Sequence, residues 1–193
     1  MFTQRQQDII QSAIALIAEK GIQQLTIKKL AAKVGVTEGA IYRHFDSKSD
    51  ILMGILALFE KSSLDLMERV RKYSGDPLRQ LKIIFEEHFH QFQENPAVAS
   101  VIFSEELFRN ERQLSEKVYR IMQNTRRTLE GIIQNGQKTG IFRRDIAADQ
   151  LSLLFIGALR LTVTRWRLSQ FSFDLKKEGE RLWATIWKVI QKN

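Results

Sequence analysis

Proline occurs only twice in these 193 residues, and each time it directly follows a residue suited to cap a helix: Asp76-Pro77 and Asn95-Pro96. Proline's fixed φ and missing N–H suit the first helical position and few later ones, so both dipeptides mark helix starts. Gly21, Gly35 and Gly140 each close a stretch of helical periodicity, where a left-handed residue ends a helix. No alternation of apolar and polar residues is long enough for a strand. The chain therefore reads as all-α, with about nine helices.

The spacing predicts a first helix from a Thr3 cap to Lys20, with Gln6 completing a capping box and Ile9, Ala13, Leu16 and Ile17 as its apolar stripe. A short helix capped by Thr26 follows over 26–34, carrying Leu30, Ala31 and Val34 inward. A third spans 37–45 from a Thr37 cap, with Ile41 and Phe45 a turn apart. A fourth opens at Ser47-Lys48-Ser49-Asp50, another capping box, and runs towards Lys72. Further helices are predicted at 77–94, 96–109, 111–139, 147–169 and 175–191, with Gly140 to Arg144 as the main irregular connection. The expected organisation is an N-terminal three-helix domain over 1–48 and a C-terminal helical bundle over 49–193.

Composition removes several classes of chemistry. There is no cysteine, so disulfides, thiolate catalysis and cysteine-bound metals are excluded, and a reducing, cytoplasmic setting is the expectation. The N-terminus is polar where a secretory signal is apolar. The longest apolar candidate, Leu151 to Leu159, is closed by Arg160, far short of the ~20 residues needed to cross a bilayer. His88 and His90 lie near Glu86, Glu87 and Glu94, but the two imidazoles face different sides and no His-Glu-x-x-His spacing occurs, so no metal site is expected. Neither a nucleophile elbow nor a phosphate- or dinucleotide-binding loop is present, which leaves no catalytic residue and no cofactor to nominate.

Two short helices joined by a turn containing Gly35 form the helix-turn-helix pattern, whose second helix lies in the DNA major groove. Ala31 and Ala32 are small enough for a close helix crossing, and Val36, Ile41 and Phe45 anchor the second helix. At about 100° per residue, the side opposite Ile41 presents Gly39 and Arg43, flanked by Ala40 and Tyr42, with His44 nearer the buried edge. Arg43 is placed to read a guanine edge bidentately. Gly39 has two readings of equal weight: close approach of backbone to DNA, or a frayed first turn where glycine costs little. Net charge is +8, suggesting a polyanionic partner. It is not concentrated near the motif: residues 1–50 carry seven Lys and Arg against five Asp and Glu, and the rest 23 against 17.

The stretch from Leu25 to Leu52, with Thr26-Ile27-Lys28-Lys29-Leu30-Ala31, Gly35-Val36 and Tyr42-Arg43-His44-Phe45 followed by Lys48, resembles the N-terminal domain of the TetR family of bacterial transcriptional regulators. The resemblance is tight over about residues 5–55. It implies phosphate contacts from Thr26, Tyr42, His44 and Lys48, and contacts at or near bases from Lys28, Glu38, Gly39, Ala40 and Arg43, with Thr37 in the same DNA-facing set. Ile27 departs from members with a polar contact residue there and reads as core. The family further implies a homodimer that binds a palindromic double-stranded operator and is released by a small-molecule effector. The alternatives are a regulator or DNA organiser without a small ligand, controlled by a protein partner, and a helical enzyme or lipid carrier that merely contains a helix-turn-helix.

Towards the C-terminus, Phe85, Phe89 and Phe92 share one helix face, a pattern used more often for core than for a ligand. With Phe103, Phe108 and Trp166 they form a candidate cavity wall. Arg126 and Arg127 are adjacent, cannot both face one pocket and read as solvated surface. Arg160, just beyond the apolar run, reads as partly buried and in need of an acidic partner. An amphipathic anion, a fatty acid or acyl thioester, is thus the expected effector. The last two helices carry more apolar surface than a small bundle needs, predicting a dimer interface with Leu154, Ala158, Leu161, Trp183 and Trp187.

Overall fold

The computed structural model describes residues 2–104 and 111–192, and among them the chain is all helical. The helices are α1 (Gln4–Lys20), α2 (Ile27–Val34), α3 (Glu38–Tyr42), α4 (Lys48–Arg71), α5 (Pro77–Glu94), α6 (Pro96–Ile102), α7 (Arg112–Lys138), α8 (Ala148–Leu168) and α9 (Leu175–Ile190). Both prolines open helices, as their N-cap neighbours predict. Of the expected caps, Asn95 makes no side-chain capping hydrogen bond, whereas those that follow do. Thr3 and Gln6 make a reciprocal capping box, and Thr26, Thr37 and Ser47 each accept a backbone N–H from three residues on. One turn is added and two local expectations are corrected. A single 3₁₀ turn, Ile22–Gln24, precedes α2; α3 ends at Tyr42 and passes to Phe45 through a tighter turn; and the helix predicted over 96–109 stops at Ile102, where Phe103 caps it.

The chain divides into two compact units, Met1–Lys61 with Asn95–Tyr119, and Ser62–Glu94 with Arg120–Asn193. In the first, α1 packs against both α2 and α6, and α2 against α3, around Ile9, Ile10, Ala13, Leu16, Ile17, Leu30, Ile41 and Phe45. Gly35 adopts a left-handed conformation (φ 76°), and the N–H of Val36 returns to the carbonyl of Ala31 at 3.0 Å, a Schellman closure that turns the chain directly into α3. Gly54 marks a close approach instead: a Cβ there would stand 2.8 Å from Cδ1 of Ile10, so a side chain on α4 at this position would push the end of that buried isoleucine aside.

The second unit packs α9 against α5 and α8, and α5 against α8. Its aromatic centre is Phe85, whose ring meets Phe89 at 4.8 Å, Phe155 at 5.1 Å and Trp183 at 5.7 Å. The irregular connection after α7 is fastened to the chain end by an isolated bridge between Phe142 and Gln191, with Arg143 also donating to the Val189 carbonyl.

His88 is buried on the core side of α5, and its Nδ1 lies 2.7 Å from the Ile84 carbonyl, which can only accept, so Nδ1 carries the proton. Burial holds the imidazole below its ordinary value of 6.5, against the opposing effects of that hydrogen bond and of Glu87. Because the folded value is depressed, the unfolded chain binds the proton first. Stability is then full above pH 6.5 and falls as the pH drops through the interval below it, at up to about 1.4 kcal/mol per pH unit. Thermal unfolding between pH 7.5 and 5 should show a shallower decline for His88→Gln than for the native chain, and equal slopes would refute this origin.

Candidate nucleic-acid interface and effector region

The DNA-facing residues expected from the sequence lie on α2, α3 and the first turn of α4 and in the turns beside them, all within the first unit. Lys28, Glu38, Gly39, Tyr42 and Arg43 are exposed, Ala40, His44 and Lys48 are half-buried, and Ile41 on the opposite side of α3 is fully buried. Tyr42 is 49% exposed, unusual for a ring beside a core. Thr26 and Thr37 spend one hydroxyl lone pair on their caps and keep the O–H for an outside acceptor.

Charge pairing separates the basic residues of this surface. Lys33 is held by Glu19 at 2.6 Å, which keeps the Glu19 carboxyl below its usual range, and Lys29 is held by Gln24. Among the described residues Lys28, Arg43 and Lys48 have no ion-pair partner. Gly39 is not required by the fold, since a Cβ there would meet only Thr37 Oγ1, at 4.0 Å. One positioning contact escaped the sequence reading: Gln6 on α1 donates to the His44 carbonyl at 3.3 Å, tying the end of the recognition helix to α1. Its signal in the sequence was already absorbed by the capping box.

In the second unit Phe85, Phe89, Phe92 and Trp166 are all buried. Phe85 and Phe89 also floor a groove of about 720 Å³ between α5 and α9, together with Trp183 and Gly179, with Lys82, His90 and Lys176 among its polar rim. Phe103 is half-buried in the first unit, and Phe108 lies outside the described residues. Arg160 is half-buried, with Nη1 3.9 Å from the sulfur of Met122.

The residues expected at a dimer interface divide. Leu154 and Leu161 are 59% and 62% exposed, and with Leu153, Gly157 and Leu168 they form an open apolar face on α8, with Ala158 half-buried at its margin. Trp183 and Trp187 are half-buried on α9, and Trp183 packs on Phe85 and Phe155 of its own unit. Among the described residues no helix is long and apolar enough to cross a membrane.

Comparison with known proteins bears on this arrangement. Residues 9–54 match the family model described as bacterial regulatory proteins, tetR family, and residues 59–189 match the model of the YsiA-like protein C-terminal region. The chain is 26% identical over 167 residues to the fatty acid metabolism regulator protein of Bacillus subtilis, covering 86% of each. It is 27% identical over 188 residues to the nucleoid occlusion factor SlmA of Shewanella loihica, covering 97% of this chain and 93% of that one. A crystal structure of the regulator FadR from Bacillus subtilis in complex with stearoyl-CoA shares the fold at a TM-score of 0.76 and 24% identity, covering 93% of this chain and 96% of that one.

Proposed function

Because the chain belongs to the TetR family of bacterial regulatory proteins, a family of helix-turn-helix DNA-binding transcription regulators, we propose that it is a homodimeric repressor released from a palindromic operator by an amphipathic anion. The observation that carries the DNA-binding half is the exposed set on and directly after α3, Tyr42 and Arg43 with a glycine the fold does not need, together with Lys28 and Lys48, which have no ion-pair partner among the described residues. On this reading Tyr42, His44, Lys48 and Thr26 position the protein on phosphates. Arg43, assisted by Lys28, Thr37, Glu38, Gly39 and Ala40, meets the base edges. Two such helices, spaced one DNA turn apart by a dimer joined through α8 and α9, would read a palindrome in the cytoplasm.

The effector half rests on chemistry rather than on the fold. The C-terminal helices bury Phe85, Phe89, Phe92 and Trp166 and leave Arg160 half-buried, a combination of residue types suited to an apolar tail with an acidic head. The likeness to a fatty acid metabolism regulator supports the same class. Effector binding acts as a coupling free energy between two sites, favouring a dimer whose recognition helices no longer match successive grooves.

A second reading keeps the DNA-binding surface and removes the small ligand, with control by a protein partner. The similarity to a nucleoid occlusion factor over nearly the whole chain favours keeping it in view. One experiment separates them. With an operator selected from random duplex DNA, the complex is titrated with anionic lipids, neutral drugs and cationic dyes. Release by the anions is expected. Release by cations but not by anions would eliminate the proposed effector class, and release by none would favour the second reading.

A further inference from the structure

The Gln6 side chain bonds in two directions. Its Oε1 accepts from the Thr3 N–H at 3.0 Å and from the Thr3 hydroxyl at 3.3 Å, and its Nε2 donates to the His44 carbonyl at 3.3 Å. The Thr3 N–H can only donate and the carbonyl can only accept, so a carboxamide in this one orientation satisfies both. A capping box by itself takes glutamate as readily as glutamine, and the helix dipole favours the acid. α1 nevertheless has no acidic residue in its first turn. The bond to His44 supplies a reason for the neutral amide that capping does not.

That bond falls at the end of the recognition helix. α3 has five residues, and its buried anchors are Ile41 and, past its last residue, Phe45. Apolar contacts are non-directional: they set how deep a short helix sits and hold its rotation loosely. His44 lies one residue beyond Arg43, and among the described residues no backbone N–H donates to its carbonyl. The Gln6 amide is therefore a directional restraint on the turn that carries Tyr42, Arg43 and His44. A bidentate contact with a base edge tolerates only about 0.5 Å of misplacement, so rotation of this turn disturbs sequence reading more than it disturbs contacts with phosphates. Gln6 and His44 also line a cleft of about 350 Å³, with Asp46 and Gly54, so water can take the place of the amide when it is removed.

We propose that Gln6 is a positioning residue for sequence reading: its amide sets the rotation of the recognition helix through the His44 carbonyl, so that α1 contributes to operator specificity. This rests on the reading of α3 as the base-reading helix. The replacement Gln6→Glu separates the two roles of the side chain. A carboxylate keeps the capping box and gains from the helix dipole, but it sets an acceptor against the His44 carbonyl. Thr3→Ala does the reverse, since the side-chain cap is lost while the Thr3 N–H still orients the Gln6 amide.

Competition binding of the full chain to an operator selected from random duplex DNA, and to random duplex of the same length, gives a discrimination ratio. Thermal unfolding followed by circular dichroism gives stability. Gln6→Glu is expected to lower the ratio about three- to tenfold while the unfolding temperature stays within a few degrees of the native value. Gln6→Met should lower the ratio to a similar extent, which separates loss of the amide from the charge of glutamate, because an added charge weakens binding to all DNA alike. Thr3→Ala should lower the unfolding temperature and leave the ratio within about twofold of the native one. Unchanged ratios in both Gln6 variants overturn the assignment. An equal fall in Thr3→Ala also overturns it, by making capping the cause. Arg43→Ala is the reference for α3 itself: a fall there without one in the Gln6 variants removes the positioning role alone. A native protein that binds operator and random DNA equally removes the reading of α3 and the proposal together.

Discussion

A glutamate at position 161 is expected to leave a folded protomer that no longer dimerises. Leu161 is 62% exposed and lies between Leu154 and Leu168 on the open face of α8, so the substitution removes nothing from the core of its own unit. In a dimer joined through that face, the carboxylate would be desolvated without a partner and set against its own copy, a cost of several kcal/mol or about a thousandfold in association. Leu161→Glu should give the protomer mass by light scattering, a helical circular-dichroism spectrum like that of the native chain, and operator affinity reduced at least as far as loss of one half-site requires. Ala158→Glu, at the margin of the same face, should act in the same direction. Trp183→Glu should instead lower stability, because that indole packs on Phe85 and Phe155 of its own unit. A Leu161→Glu protein that stayed dimeric and bound operator would rule out this face as the interface.

Arg43→Ala should narrow the gap between operator and random DNA by about 10- to 100-fold for each half-site, the worth of one bidentate hydrogen-bonded pair with a base. The side chain follows α3 directly, is exposed and has no ion-pair partner among the described residues, so its removal costs the fold little. Lys48→Ala and Tyr42→Phe should weaken binding to all sequences alike. Only the lysine change should flatten the salt dependence, by about one unit of slope for each lysine removed. Competition binding across a salt series measures both quantities. Intact discrimination in Arg43→Ala would show that another residue reads the bases.

What the sequence determined by itself is local. Thr3 with Gln6, Thr26, Thr37 and Ser47 cap helices where the spacing places them, and Pro77 and Pro96 open helices, because capping and φ restriction act within one turn and need no distant partner. The outward set on α3 was legible for the same reason, since one buried residue, Ile41, orients five positions of a helix. Tertiary structure alone decided the choices between equivalent faces. Periodicity on α8 cannot tell Leu151 and Phe155, which are buried, from Leu154 and Leu161, which are exposed, because both rows are apolar and only packing with α5 and α9 separates them. Nor does the order of the chain reveal that Asn95–Tyr119 joins the first unit, a grouping made by α6 against α1 across most of a hundred residues. Adjacent arginines 126 and 127 look alike in the sequence. Their difference, one solvated and one with a buried orphan donor, comes from which way α7 faces, and burial of that kind is set by residues far away along the chain.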